Sequence, residues 1–125
     1  MMVAGLGCRR GARAEDVAAA IALALDGRAP GALARLATSA AKAREPGLLE
    51  AAASLGLTLE AVPRDALLAA APRCLTHSAR ALAEAGVPSL AETAALASAG
   101  PGAVLLGPRV AVARAVTCAL AEVPA

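Results

Sequence analysis

The residues best suited to chemistry lie near the start of the chain, in Gly5-Leu6-Gly7-Cys8-Arg9-Arg10-Gly11. Three glycines allow backbone N–H groups to approach a ligand closely, and Arg9, Arg10 and Arg13 add full positive charge. A guanidinium meets carboxylate or phosphate oxygens two at a time. Placed ahead of a helix, whose N-terminus carries partial positive charge, such a segment makes an anion site. The spacing is not the dinucleotide fingerprint, because the last glycine comes one residue late. It is not a P-loop either, since the Gly-Lys-Ser/Thr ending is absent. A glycine turn carrying solvated arginines is the competing reading, and both stand at this point.

Other candidates are less specific. Lys42 and Glu45 flank a turn entering a helix, where a carboxylate also stabilises the helix N-terminus. Ser89 and Glu92 have capping-box spacing, which accounts for both without chemistry. Thr38 would present a hydroxyl at the carboxyl end of a strand, where ligands gather in open α/β sheets. Cys74 and His77 have C-x-x-H spacing. A structural zinc site needs four ligands and a catalytic one three, and no second pair lies nearby in the sequence. His77 is the only histidine, and no nucleophile elbow accompanies it. Cys8, beside two arginines, is expected to have a lowered thiol pKa, or else to pack as a small residue under the turn. No residue is assigned as catalytic, and no cofactor or metal is implied.

Composition narrows the classes. The chain has 125 residues, 58% of them hydrophobic and 18% charged, with no Phe, Tyr or Trp. Its core must therefore be built from Leu, Val, Ala and one Ile, and packing has to be close rather than bulky. Each buried CH₂ contributes only about 0.8 kcal/mol. The longest strongly apolar run without charge, 17–25, falls short of the roughly 20 residues of a membrane helix. Met1 to Cys8 resembles a lipoprotein cleavage box, but no basic n-region or long apolar stretch precedes it. A cytoplasmic, unprocessed chain with no membrane association is expected. Three cysteines without paired spacing do not suggest a disulfide framework. A net charge of +2 without aromatic platforms argues against nucleic acid.

The elements that must position these residues alternate between strand and helix. Period-two alternation gives a strand over 2–7. A helix follows over about 15–26, with Val17, Ile21 and Leu25 forming one stripe, acids in its first turn and Gly27 as its stop. A strand is expected over 33–38. Pro46 then opens a helix with Leu48, Ala52 and Leu55 on one face, ended by Gly56. Residues 57–62 read as a third strand and 64–71 as a short helix. A helical run over 78–85 precedes the Ser89-capped helix, which reaches about Ala99 before Gly100. Residues 103–106 form a fourth strand, Gly107-Pro108 turns the chain, and 116–120 returns as the last strand, antiparallel because no crossover helix fits. The physical reading is one α/β domain over 1–125, with a mixed, mostly parallel sheet.

The motifs resemble a known family in order along essentially the whole chain. Gly5 to Gly11, Ala37-Thr38, Lys42, Glu45-Pro46-Gly47-Leu48-Leu49 and Gly56-Leu57 come first. Ser78, Gly86-Val87-Pro88-Ser89, Ala91-Glu92, Ala94-Ala95-Leu96, Leu105-Leu106 and Thr117 follow. This set resembles the CobE family of cobalamin biosynthesis, homologous to the C-terminal domain of CbiG. The resemblance implies a three-layer α/β/α fold and a role in corrin-ring assembly. It further implies a precorrin or cobalt-precorrin intermediate as ligand, with other enzymes of the pathway as partners. CbiG opens the δ-lactone of cobalt-precorrin 5A with release of acetaldehyde, and this chain would supply only the C-terminal portion of that architecture. Gly7, Cys8, Arg9, Arg10 and Gly11 are then expected to line a carboxylate pocket, with Thr38, Lys42, Glu45, Ser89 and Glu92 as secondary candidates. A small anion- or nucleotide-binding module is the reading that needs no family. Apolar surface on the alanine-rich helices leaves room for a homo-oligomer.

Three positions depart from the family pattern. Arg13 stands where Ser or Thr is expected to cap the first helix, and Ala40 replaces an acidic residue. Arg109 replaces a lysine after proline, keeping the charge but changing its geometry.

Overall fold

In a computed structural model, which describes residues 1–124, side-chain alternation along the first strand divides the core in two. This strand, β1 (Met2–Cys8), turns Met2, Ala4 and Leu6 towards one apolar cluster and Val3 towards another. The first cluster takes Val17, Ile21 and Leu25 from α1 (Ala14–Leu25) and Leu48 and Ala52 from α2 (Pro46–Leu55). The second takes Leu67 and Ala70 from α3 (Arg64–Ala70) and Leu90, Ala94 and Leu96 from α5 (Leu90–Ala99). A short helix, α4 (Ala79–Ala85), lies between these last two in the chain. Helices on both faces of one sheet give the three layers expected from the sequence.

The remaining strands are β2 (Leu33–Ser39), β3 (Leu59–Val62), β4 (Val104–Leu105), β5 (Val110–Val112) and β6 (Val116–Glu122). The order across the sheet is β3-β2-β1-β6-β4, with β5 also paired to β6. Strands β1, β2 and β3 are parallel, whereas β6 runs antiparallel to β1, β4 and β5. The carboxyl ends of β1 to β3 therefore share one edge of the sheet with the amino end of β6.

Several boundaries follow from local chemistry. Pro46 occupies the first turn of α2, and Gly56 closes it in the left-handed conformation, φ 67°. In α1 the left-handed cap is Asp26, φ 49°, one residue before the glycine expected to stop the helix; Gly27 continues the turn at φ 87°. Aspartate tolerates this region better than most side chains. Helix α5 is buried nearly all round and so lacks the polar face of a surface helix.

The last third of the chain differs most from the sequence expectation. Gly107-Pro108 does not reverse the chain. It interrupts an edge strand, whose halves β4 and β5 both run against β6. Proline has no N–H to offer a ladder and is confined to such edges. The reversal comes later, at Ala113 to Ala115.

Candidate functional site

Two of the glycines in the opening motif belong to β1, not to a loop. A Cβ on Gly5 would overlap the carbonyl oxygen of Ala91 and come within 2.5 Å of the Ala95 nitrogen. A Cβ on Gly7 would lie 2.7 Å from Thr117 Oγ1 and 3.5 Å from Leu90 Cβ. Helix α5 at Gly5, and the Thr117 side chain of β6 at Gly7, thus fill the space that a ligand was expected to enter. Their lack of a side chain lets α5 pack closely on β1 at Gly5 and makes room for Thr117 at Gly7, uses that leave the same trace in a sequence as a phosphate loop.

Beyond β1 the chain makes a tight turn. Ala12 donates its N–H to the Arg9 carbonyl at 3.1 Å, with Gly11 left-handed at φ 77°. That turn is fixed on both sides. Arg9 donates its N–H to the Ala115 carbonyl at 2.8 Å, and Gly11 donates its own to a Glu45 carboxylate oxygen at 3.1 Å. Gly47 packs against the Ala12 carbonyl without room for a Cβ. The loops after β1 and β2 are thereby held together. Arg9, Arg10 and Gly11, directly after Cys8 at the end of β1, come from one of them, Lys42 and Glu45 from the other.

The charges on this edge are unequally engaged. Glu45 is committed to the Gly11 amide. Arg9 and Arg10 are exposed and Lys42 half-buried, and among the described residues none of the three has an ion-pair partner. By contrast, Arg13, Arg35 and Arg80 each meet a carboxylate. The thiol of Cys8 is pushed up rather than down. Burial raises it most, Lys42 lowers it and Glu45 raises it further. Arg9 and Arg10 are exposed and do not offset this burial, so the shift runs opposite to the lowered pKa that their presence in the sequence suggests.

Thr38, Ser89 and Glu92 are fully buried, with internal partners. Thr38 donates its hydroxyl to the Leu6 carbonyl at 2.8 Å, tying β2 to β1. Ser89 Oγ accepts the Glu92 N–H at 3.2 Å, which is half of the expected capping box. The other half is absent, because the Glu92 carboxylate turns elsewhere. Its Oε1 accepts the N–H groups of Leu75 and Thr76, at 2.7 and 2.9 Å. Its Oε2 accepts the Thr76 hydroxyl at 2.6 Å and the Arg109 N–H at 2.9 Å. Burial alone would raise this carboxyl, but these four donors outweigh it and the pKa is lowered. Glu92 fastens the segments around Thr76 and Arg109 to the first turn of α5. Three of its four donors are backbone amides, which have no signature in a sequence.

Among the described residues no group of three or more His, Cys, Asp or Glu side chains is arranged to hold a metal. Cys74 is buried beside the Ser89 carbonyl, with its thiol pushed up to about 11, chiefly by desolvation. Among the described residues no helix is long and apolar enough to cross a membrane.

Comparison with known proteins agrees with this architecture. Residues 2–121 match the family described as Cobalamin synthesis G C-terminus. Protein CobE of a Sinorhizobium species is 40% identical over 122 residues, spanning 96% of this chain and 79% of its own. The crystal structure of CobE, a protein from the cobalamin (vitamin B12) biosynthetic pathway, superposes with a TM-score of 0.92 at 38% identity, covering 99% of this chain and 91% of that one. Cobalamin biosynthesis protein chiG from Agrobacterium tumefaciens gives a TM-score of 0.76 at 44% identity, with both chains covered in full. The chain belongs to the CobE/CbiG C-terminal family and is a protein of cobalamin biosynthesis.

Proposed function

We propose that this chain binds a precorrin or cobalt-precorrin intermediate by its peripheral carboxylates, at the edge formed by the loops after β1 and β2. The observation that supports this most is the set of unpaired cations, Arg9, Arg10 and Lys42, on two loops fixed to each other through Gly11 and Glu45. Corrin precursors carry acetate and propionate groups around a flat ring, and arginine takes a carboxylate in a bidentate fork. The carboxyl ends of parallel strands are where open α/β sheets bind ligands. Because the loops are already tied down, little ordering cost opposes binding.

Thr38, buried where it ties β2 to β1, and Ser89 and Glu92, buried at the first turn of α5, are structural supports in this reading and not ligand contacts. No nucleophile with an adjacent base is assembled there, so the reading is of binding and transfer rather than turnover. A cytoplasmic location and contacts with other enzymes of the pathway, which would receive the intermediate, belong to the same proposal. The test is a visible-absorbance titration with hydrogenobyrinic acid, since the chain has no Trp or Tyr to report binding. A saturable spectral shift, weakened when Arg9 and Arg10 are both changed to Ala, is expected. An unchanged affinity in that double variant overturns the assignment.

A second reading takes its support from the family being defined on the C-terminus of a longer protein. Here the chain supplies part of a cobalt-precorrin 5A hydrolase, completed by a separate N-terminal component. Acetaldehyde released only when both components are mixed would favour it.

A further inference from the structure

We infer that Arg114, on the turn between β5 and β6, is a third arginine of the carboxylate site, so that one ligand is held by acid groups spread across three neighbouring loops. The inference rests on the carboxylate-binding reading above and extends it to a residue outside the opening motif.

The turn sits beside the Arg9 loop by direct contact. Cys8 is in register with Val116, and the next amide along, that of Arg9, is bonded to the Ala115 carbonyl at 2.8 Å. Arg114 therefore adjoins Arg9 on one side of β1, while Lys42 lies on the other, after β2. From the β6 side to the β2 side is two strand spacings, roughly 10 Å. Cations set that far apart suit a polycarboxylate macrocycle better than a single carboxylate or phosphate group.

The backbone of the turn is a second and independent observation. Ala115 donates its N–H to the Val112 carbonyl at 3.0 Å, enclosing Ala113 at φ 57° and Arg114 at φ 53°. Tight hairpins with two left-handed central residues ordinarily use Asn or Gly there. At its other positive-φ positions the chain places glycine six times and aspartate, which tolerates this region, once, whereas here it places alanine and arginine. Both residues are exposed, and among the described residues Arg114 has no ion-pair partner. Packing does not account for an arginine in this strained place, and strain of this kind collects at binding sites.

The experiment titrates hydrogenobyrinic acid, followed by its visible spectrum, into the wild type and five variants, one of them the double change Arg9→Ala with Arg10→Ala, with thermal melts alongside. Arg114→Ala is expected to weaken binding about five- to tenfold, as for loss of a charge-assisted hydrogen bond. Arg114→Lys should recover part of that. The double change Ala113→Asn with Arg114→Gly should melt higher than the wild type and still bind as weakly as Arg114→Ala. Arg80→Ala, on α4 and paired with Glu84, should bind as the wild type does. Wild-type affinity in both Arg114→Ala and the double variant would show that Arg114 is only a turn residue. If changing Arg9 and Arg10 weakens binding while changing Arg114 does not, the inference fails and the carboxylate reading stands. No saturable shift with the wild type overturns both.

Discussion

Gly11 donates its amide hydrogen to the Glu45 carboxylate across 34 positions of sequence, joining the loops that follow β1 and β2. This contact makes a single surface out of two loops, and it uses the only acid in either of them. Among the described residues the cations around it, Arg9, Arg10 and Lys42, have no ion-pair partner.

Glu45→Ala removes the acceptor and frees the β1 loop. Because the pair is partly exposed, the expected loss is about 0.5–1.5 kcal/mol, read from thermal unfolding. Hydrogen exchange at the Gly11 amide should accelerate more than this global change requires. Equal protection in both proteins would mean that the contact does not hold the loop.

Gly5→Ala and Gly11→Ala should differ in cost. At Gly5 the added methyl meets the backbone of α5, which must move, at about 1–3 kcal/mol or more. At Gly11 nothing lies within 4 Å, and only the left-handed backbone opposes the change, at roughly 1 kcal/mol. Urea unfolding of the two variants gives the order directly, and the reverse order would contradict the packing of α5 on β1.

Glu92 should leave a mark on acid stability. Its folded pKa lies below the ordinary value of 4.5, so its contribution is full above that value and is lost as the pH falls through the folded one. Glu92→Gln presents an amide N–H₂ to backbone donors and should cost about 1–3 kcal/mol at pH 7. Below pH 4.5 the variant's stability should fall less steeply than that of the wild type, as measured by denaturant midpoints across pH.

Much of this was legible in the sequence, and the exceptions share a physical cause. Pro46, Gly56 and Ser89 announced helix ends because capping chemistry is local. The stripe of Val17, Ile21 and Leu25 announced α1 because burial follows helical period. Strand β5 went unread because its turn, Ala113 to Ala115, carries none of the residues that mark turns, and because Gly107-Pro108 looked like the reversal. Gly5 and Gly7 were read as ligand-facing when they face a helix, since an absent Cβ serves either purpose. For Cys8 the nearby arginines suggested a lowered thiol pKa and the turn suggested a small packed residue; burial, which raises the thiol, is a property of the fold. Arg9, Arg10, Gly11, Lys42 and Glu45 were named as candidates without any sign of the bond from Gly11 to Glu45 that joins their two loops.

Thiol chemistry gives a further check. Desolvation pushes Cys118 up to about 12 and Cys74 to about 11, and Cys8 is also raised. Iodoacetamide at pH 7 should label the folded protein slowly, at the half-buried Cys8 before the other two, with full labelling on unfolding. Rapid native labelling of Cys8, located by peptide mass, would instead mark it as an activated thiol.

The most direct measurement is an amide NMR titration of the ¹⁵N-labelled protein with hydrogenobyrinic acid, which locates the ligand without any mutation. The account predicts saturable shifts centred on Arg9, Arg10, Gly11 and Lys42, with the sheet interior unmoved. Shifts centred instead on the hollow of about 350 Å³ lined by Leu23, Arg28, Gly107 and Val110 would contradict it, as would no shift at the Arg9–Gly11 turn.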